Sequence, residues 1–163
     1  MLGLSGKFGW EISDGDVLLA RQYFHNGITE GGVHDLLDLY FRNGSTAAAW
    51  YFGVIDSDSF SALADATDTM ASHAGWVEFT GYDEATRQAW SPDAASSQTI
   101  TNSTLPSITI NTAGTLKGLF MTTDSTKSGT SGILWNSGIP SVTQSVQPGN
   151  SIKLFYELLA QEG

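Results

Sequence analysis

The residues most able to do chemistry in this chain are carboxylates that lie among aromatic residues. In the stretch Gly75–Pro92, which is rich in Trp, Phe and Tyr, Asp83 and Glu84 stand side by side. Glycosidases use two carboxylates, but adjacent residues of a strand point to opposite faces, so this pair should not converge on one bond. Arg87 lies four and three positions further along. We therefore predict a local ion pair between Arg87 and these carboxylates, which orders the loop before Trp90.

The patterns for metal binding and nucleophilic catalysis are incomplete. The acidic run that starts at Asp56 begins like a calcium-binding loop, but Ser61 stands where Gly is required and Thr67 where a bidentate Glu is required. The segment Gly129–Gly132 lacks the spacing of a GxSxG nucleophile elbow. Three histidines are too scattered for metal-ligand spacing: His25, His34 and His73. We expect no catalytic residue, no metal ligand and no cofactor, and hence a protein that is not an enzyme.

The charge of the chain is strongly negative and unevenly distributed. Its 163 residues carry a net charge of −10; residues 1–93 hold 14 acids and 4 bases, whereas residues 94–163 hold 3 of each. Such a surface repels phosphate backbones, so we expect no nucleic-acid partner. The start lacks a basic segment followed by an apolar run, and no window holds the ~18 apolar residues of a membrane helix. We therefore expect synthesis in the cytoplasm and no membrane partner. With no cysteine, disulfides and thiolate ligands are excluded.

The N-terminal part has the pattern of a hairpin. Apolar and aromatic residues in Lys7–Ser13 and Asp16–Asn26 flank Asp14-Gly15, a pair that favours tight two-residue turns. The first 12 residues are rich in Gly and carry Phe8 and Trp10. They suit either an edge strand packed on its own domain or an extended arm, and the sequence leaves both interpretations open.

Helical periodicity begins at Val33 and continues to Phe41, with Thr29 as a plausible N-cap and Asn43-Gly44 as a left-handed stop. We predict that the apolar stripe of this helix belongs to the core. A second, shorter helical pattern covers Phe60–Ala71. Between the two, the apolar run Ala47–Ile55 predicts a strand buried on both faces, at the centre of a sheet.

The remainder of the chain has the pattern of an all-β domain. Short apolar runs alternate with Gly, Pro, Asn and Ser, which is typical of an antiparallel β-sandwich. We predict one domain over residues 1–163, with a helix-containing segment at 29–73 and sandwich strands at 74–159. The predicted strands are Trp76–Tyr82, Gln98–Thr101, Ser107–Asn111, Leu116–Thr122, Gly132–Trp135 and Ser151–Leu159.

Several segments together resemble a family of small virion proteins from tailed bacteriophages and prophages. The likeness runs from about Phe24 onward and is carried by Leu36–Gly44, Ala48–Asp56, Met70–Trp76, Glu78–Arg87, Thr115–Phe120 and Ser125–Gly132. The resemblance implies a capsid decoration, or cement, protein with a jelly-roll-like sandwich. It also implies a location on the outer surface of the virion capsid and a major capsid protein as partner.

A decoration protein on a symmetric shell is expected to self-associate as a dimer or trimer on a local axis. An N-terminal arm or an exposed strand edge would be the linking device, and we predict that Leu4, Phe8 and Trp10 form part of the assembly contact. Two other functions stay open. A tail-fibre or receptor-binding domain would stack sugars on exposed aromatics such as Trp90 or Trp135, and a carbohydrate-active enzyme would use the adjacent carboxylates of the Gly75–Pro92 stretch.

Overall fold

The computed structural model describes residues 2–44, 49–63 and 65–162. Within these ranges the chain forms ten strands and one helix, and every strand pair is antiparallel. The strands are β1 (Leu2–Asp14), β2 (Val17–Ile28), β3 (Trp50–Asp56), β4 (Gln88–Trp90), β5 (Thr99–Thr101), β6 (Ser107–Thr109), β7 (Gly114–Thr122), β8 (Leu134–Gly138), β9 (Gln144–Val146) and β10 (Asn150–Glu162), and the helix is α1 (Glu30–Phe41).

All ten strands belong to one sheet, which curls into a half-barrel. Its order is β4-β3-β7-β8-β2-β1-β10-β5, while β6 also pairs with β10 and β9 also pairs with β7. The predicted mainly-β, antiparallel class is therefore confirmed. A β-sandwich or jelly roll is not confirmed, since the described strands are hydrogen-bonded into one sheet rather than two. No helix in the described ranges is long and apolar enough to cross a membrane.

Strand β1 is not an arm, and from Gly6 onward it is an inner strand of the sheet. It pairs with β10 along Leu2–Asp14 and with β2 along Gly6–Asp14. The physical reason is its alternation: Phe8, Trp10 and Ile12 are buried in the core, and exposing each would cost about 1.5 to 3 kcal/mol. The interpretation as an extended arm is thus wrong. Residues 2–12 pack on their own domain, as the other interpretation predicted, but only Leu2–Ser5 are paired on one side alone.

The predicted hairpin is confirmed, with its turn displaced by one residue. Asp14 pairs with Val17, so the two-residue turn is Gly15-Asp16. Gly15 has a φ of 54°, which Gly adopts without the steric cost that a Cβ would bring. A bulge in β2 opposite Ile12 and Ser13 then increases the local twist.

Helix α1 is confirmed, together with both of its predicted ends. The Thr29 hydroxyl accepts a hydrogen bond from the Gly32 N–H at 3.1 Å, and Asn43 has a left-handed φ of 55°. The stripe predicted as core is only partly buried, because Tyr40 and Phe41 are 80% and 77% exposed. The helix packs at its first turn, where Gly32 lies so close to Trp135 that a Cβ there would approach the ring to 2.5 Å. The side chains of its last turn are therefore largely uncovered.

The second predicted helix is wrong, since the described residues 57–63 and 65–74 form turns and irregular structure. Asp65 accepts hydrogen bonds from the backbone N–H and the hydroxyl of Thr67, both at 2.8 Å, and Thr69 pairs with Ser72. Side-chain bonds of this kind compete with helical backbone bonds.

Strand β3 is buried over Phe52–Ile55, as predicted. It lies one strand from the end of the sheet rather than at its centre, and Ala47 and Ala48 of the predicted strand lie outside the described residues.

The predicted strands after residue 97 are confirmed with shifted ends, while β4 and β9 were not predicted. The extended stretch Trp76–Tyr82 is no strand and makes only single bridges, Ile55 with Glu78 and Tyr82 with Ile110.

The main hydrophobic cluster lies on one face of the curled sheet and includes Phe8, Trp10 and Tyr156. Because neighbours in a strand alternate, a second cluster covers the other face: Ile55, Met70, Trp76, Phe120 and Leu134.

Candidate functional site

The predicted assembly contacts lie in different environments. Phe8 and Trp10 are 0% and 1% exposed, so in this fold they belong to the core and present nothing to a partner. Leu4 is 36% exposed and stays available for contact. The prediction is therefore corrected for the two aromatic residues, because alternation along β1 turns both towards the core.

One edge of β2 is open over most of its length. β1 pairs with one side of β2 from Val17 to Asn26, whereas β8 pairs with the other side only over Asn26–Ile28. Within the ranges that the structure describes, no backbone hydrogen bond reaches the outer side of Val17–Phe24. We call this open side the β2 edge. An open edge is a template on which another chain can add a strand.

The β2 edge carries exposed apolar side chains. Those of the turn-proximal residues are half to two-thirds exposed: Val17 63%, Leu18 50% and Leu19 55%. The only charged residue of Val17–Phe24 is Arg21, whose Nε lies 2.8 Å from a carboxylate oxygen of Glu11. In a chain of net charge −10, this apolar and locally neutral edge is suited to protein contact.

A second exposed apolar surface lies on the last turns of α1. Tyr40 and Phe41 contact each other edge to face with ring centroids 5.2 Å apart, and Leu37 beside them is 46% exposed. A shallow hollow between α1 and β1 is lined by these three residues together with Leu4, Val33 and Leu36. We call this surface the α1 patch. It is the part of the predicted core stripe that the sheet leaves uncovered.

An aromatic cleft opens between α1 and the sheet, with a volume of about 140 Å³. Its aromatic lining comes from Trp50 of β3, Trp90 of β4, Trp135 of β8 and Tyr156 of β10, and Asp35 of α1 lines one side. The Trp50 and Trp135 rings lie 5.5 Å apart, and the Trp90 and Tyr156 rings 5.4 Å apart. Four strands distant in sequence thus contribute one ring each.

The polar atoms of three of the four cleft rings, Trp90, Trp135 and Tyr156, are already bonded. The Trp90 indole N–H donates to the Asn102 side-chain oxygen at 3.2 Å, and that of Trp135 donates to the Tyr156 hydroxyl at 3.0 Å. Burial raises the pKa of Tyr156 to about 12, so its hydroxyl is neutral at physiological pH. Trp135 is only 6% exposed, which corrects the expectation of an exposed sugar-stacking ring there, while Trp90 is half-buried.

The ion pair predicted for Arg87 exists with a different partner. Its guanidinium group donates to both carboxylate oxygens of Glu78, at 2.9 and 2.8 Å, and the two side chains are 1% and 5% exposed. Glu84 instead accepts from the Thr109 N–H. Asp83 accepts from the Asn111 amide at 3.0 Å. The two adjacent carboxylates thus bind different residues, one in β6 and one just after it, and do not converge on a shared site.

Within the described ranges, no group of three His, Asp or Glu side chains is placed to hold a metal ion. In the described part of the acidic run after Asp56, hydrogen bonds from Thr67 hold the pKa of Asp65 below its usual range. In the loop after β7, the N–H of Thr126 similarly lowers the pKa of Asp124. These carboxylates order their own loops.

No protein-family model matches the chain, and no curated protein matches it. The resemblance to phage virion proteins therefore stays a prediction carried by the segments named above. The β2 edge and the aromatic cleft were not predicted. The consecutive apolar residues Val17–Leu19 beside a turn were a signal for the first, whereas nothing in the spacing of Trp50, Trp90 and Trp135 indicates that they meet.

Proposed function

We propose that this protein is a capsid decoration, or cement, protein of a tailed bacteriophage. It binds the outer surface of the major capsid shell and stabilises the shell across the joints between capsomers. The resemblance of six sequence segments to small phage virion proteins supports this proposal. The structural observation that carries it is the β2 edge, an open strand with exposed apolar side chains at Val17–Leu19.

The β2 edge offers the two kinds of contact by which an added strand binds, backbone hydrogen bonds and apolar side-chain contacts. Unpaired backbone N–H and C=O groups bind a strand of the partner, and the apolar side chains bury surface against it. Because a decoration protein binds only the assembled shell, each bound copy stabilises that state by mass action. Many copies of modest affinity are sufficient.

Self-association is part of the proposal. A two-fold or three-fold axis of the shell brings copies together, and the protein sits there as a dimer or trimer. The α1 patch, with Tyr40 and Phe41 exposed, offers a second apolar surface, so one surface can bind the shell and the other a neighbouring copy. The acidic charge of the chain, −10 overall, disfavours nucleic acid as an alternative partner.

A tail-fibre or receptor-binding role is the second candidate, and the aromatic cleft favours it. Concave sites lined by aromatic rings with one or two polar groups are typical of small-molecule recognition. The two functions differ in copy number, since a tail tip carries few copies and a shell carries many.

The experiment is rebinding of the purified chain to shells that lack it. Changing Leu18→Lys and Leu19→Lys together places charges on the β2 edge, which is how natural edge strands block pairing. We expect the affinity for the shell to fall about tenfold or more, which corresponds to ~1.4 kcal/mol, so that occupancy falls at subsaturating concentration while the melting temperature stays unchanged.

The matched control is Val142→Lys, a change at a residue that is 58% exposed and distant in sequence from β2. It should leave occupancy unaltered. Equal occupancy of the double variant and the control would contradict a role for the β2 edge, and failure of the unmodified chain to bind any shell would contradict the decoration function.

A further inference from the structure

We propose that the aromatic cleft binds a small organic cation, a molecule that carries a quaternary methylammonium group. The cleft shares no residue with the β2 edge or with the hollow of the α1 patch apart from Leu36. The proposal is therefore independent of the decoration function.

The first argument is the arrangement of the rings. The planes of Trp50 and Trp135 are inclined by 53°, and those of Trp90 and Tyr156 by 75°. Rings inclined in this way do not form one flat stacking surface, and all four line the same cleft. The faces of aromatic rings are electronegative, and several faces around one space attract a methylated ammonium group, with Trp the most effective ring.

The second argument is charge. Asp35, on the second turn of α1, is half-buried and is the one charged side chain among the residues that line the cleft. A carboxylate beside an otherwise apolar space selects a cation, because an uncharged ligand would leave it desolvated without a partner. The net charge of −10 raises the local concentration of cations around the whole molecule.

The third argument excludes a sugar as the preferred ligand. Recognition of a sugar needs several hydrogen-bond donors and acceptors for its hydroxyl groups. The indole N–H groups of Trp90 and Trp135 are already bonded to Asn102 and Tyr156. A quaternary ammonium group has no N–H and needs no acceptor geometry, so it fits a cleft in which the polar atoms of three of the four rings are taken and the charged group is a carboxylate.

Size and rigidity agree with this ligand. The volume of about 140 Å³ is below the roughly 300 to 1,000 Å³ of pockets for drug-sized molecules and suits a compact head group. Asn102 also accepts from the Tyr156 backbone N–H at 2.7 Å, so Trp90 is held to β10 through one amide. Rings fixed before binding lose little conformational entropy when the ligand enters.

The test is titration of the full chain with tetramethylammonium and with choline at constant ionic strength. Calorimetry and tryptophan fluorescence monitor the binding. The control ligand is 3,3-dimethyl-1-butanol, which has the shape of choline but no charge. We expect saturable binding of both cations and binding of the neutral analogue that is at least about tenfold weaker.

Two variants locate the site. Asp35→Asn should weaken choline binding about fivefold or more, whereas Asp38→Asn, on the same helix and outside the cleft, should leave it unchanged. Trp50→Leu should abolish saturation. Because Asp35→Asn removes only a charge at a half-buried position, it keeps the test decisive even if the tryptophan variant unfolds.

Binding to lipid vesicles distinguishes a choline head group on a lipid surface from a free molecule. Sedimentation of the chain with phosphatidylcholine vesicles, but not with phosphatidylglycerol vesicles, would assign a choline head group on a lipid surface. Binding of free choline without sedimentation would assign a free molecule. Absence of saturable tetramethylammonium binding, or equal affinity for the neutral analogue, would overturn the proposal.

Discussion

Arg87 joins the stretch that precedes β4 to the loop after β7 through one buried guanidinium group. It donates to both oxygens of Glu78 and to the backbone carbonyls of Asp124 and Gly129, at 2.8 and 3.1 Å. Its guanidinium carbon lies 5.2 Å from the centroid of the Phe120 ring. Both charges are removed from water, so each side chain depends on the other for compensation. The pair fixes the loop after β7 against the stretch that precedes β4.

Replacement of Arg87 by Met is expected to lower the free energy of unfolding by about 3 to 5 kcal/mol, because the Glu78 carboxylate stays buried without its partner. Urea denaturation followed by tryptophan fluorescence measures this change. The control is Arg42→Met, which breaks the Arg42–Asp38 pair on α1, where the side chains are 77% and 53% exposed. That change should cost less than about 1 kcal/mol. Equal losses in the two variants would show that the buried pair has no special role.

At the scale of elements, α1 is attached to the sheet by its first turn. The Thr29 hydroxyl caps the helix through the Gly32 N–H at 3.1 Å and donates to the carbonyl of Leu134 in β8. The Thr29 N–H also donates to the Trp135 carbonyl at 2.9 Å. One residue therefore sets both where the helix begins and how it lies against β8, which positions Asp35 at the cleft.

Thr29→Ala removes the cap and the bond to β8 together, so we expect a loss of about 1 to 3 kcal/mol in the free energy of unfolding. Thr29→Ser keeps a hydroxyl and should restore most of the loss. Thr143→Ala, at an exposed threonine, should change stability by less than about 0.5 kcal/mol. Thermal and urea unfolding measure the free energy of unfolding of the three variants. A serine variant as unstable as the alanine variant would show that packing of the methyl group, and not the hydroxyl, is what matters.

Elements with local signals were predictable from the sequence. The hairpin follows from alternation around a turn, and α1 follows from its 3.6-residue period, its Thr29 cap and its left-handed Asn43. The segment Phe60–Ala71 had a helical pattern too, but Asp65 and its neighbours bind their own backbone and prevent the helix. The local pattern therefore predicted the type of most elements. It did not show where side chains compete with the helix for backbone hydrogen bonds.

Properties that depend on distant contacts were not predictable. Arg87 pairs with Glu78, nine positions earlier, rather than with its closer carboxylate neighbours. The order of strands places β1 inside the sheet, which turns Phe8 and Trp10 from candidate contacts into core. A period of two shows that one face of a strand is apolar, but not which neighbours cover it.

For the whole molecule, the curled sheet accounts for which surfaces remain open. β8 pairs with only the last residues of β2, so the remainder of β2 has an open edge. The last turn of α1 leaves Tyr40 and Phe41 exposed. These two apolar surfaces on an acidic chain of net charge −10 are suited to contacts with other proteins. This arrangement agrees with the proposed decoration function and leaves the aromatic cleft free for a small ligand.

The number of copies per virion tests the decoration function most directly. Quantitative mass spectrometry of purified particles gives this number relative to the major capsid protein. We predict a ratio of about one copy to one or a few capsid proteins, because a cement protein occupies equivalent positions over the whole shell. A handful of copies per particle would contradict the decoration function and place the protein at the tail or a vertex.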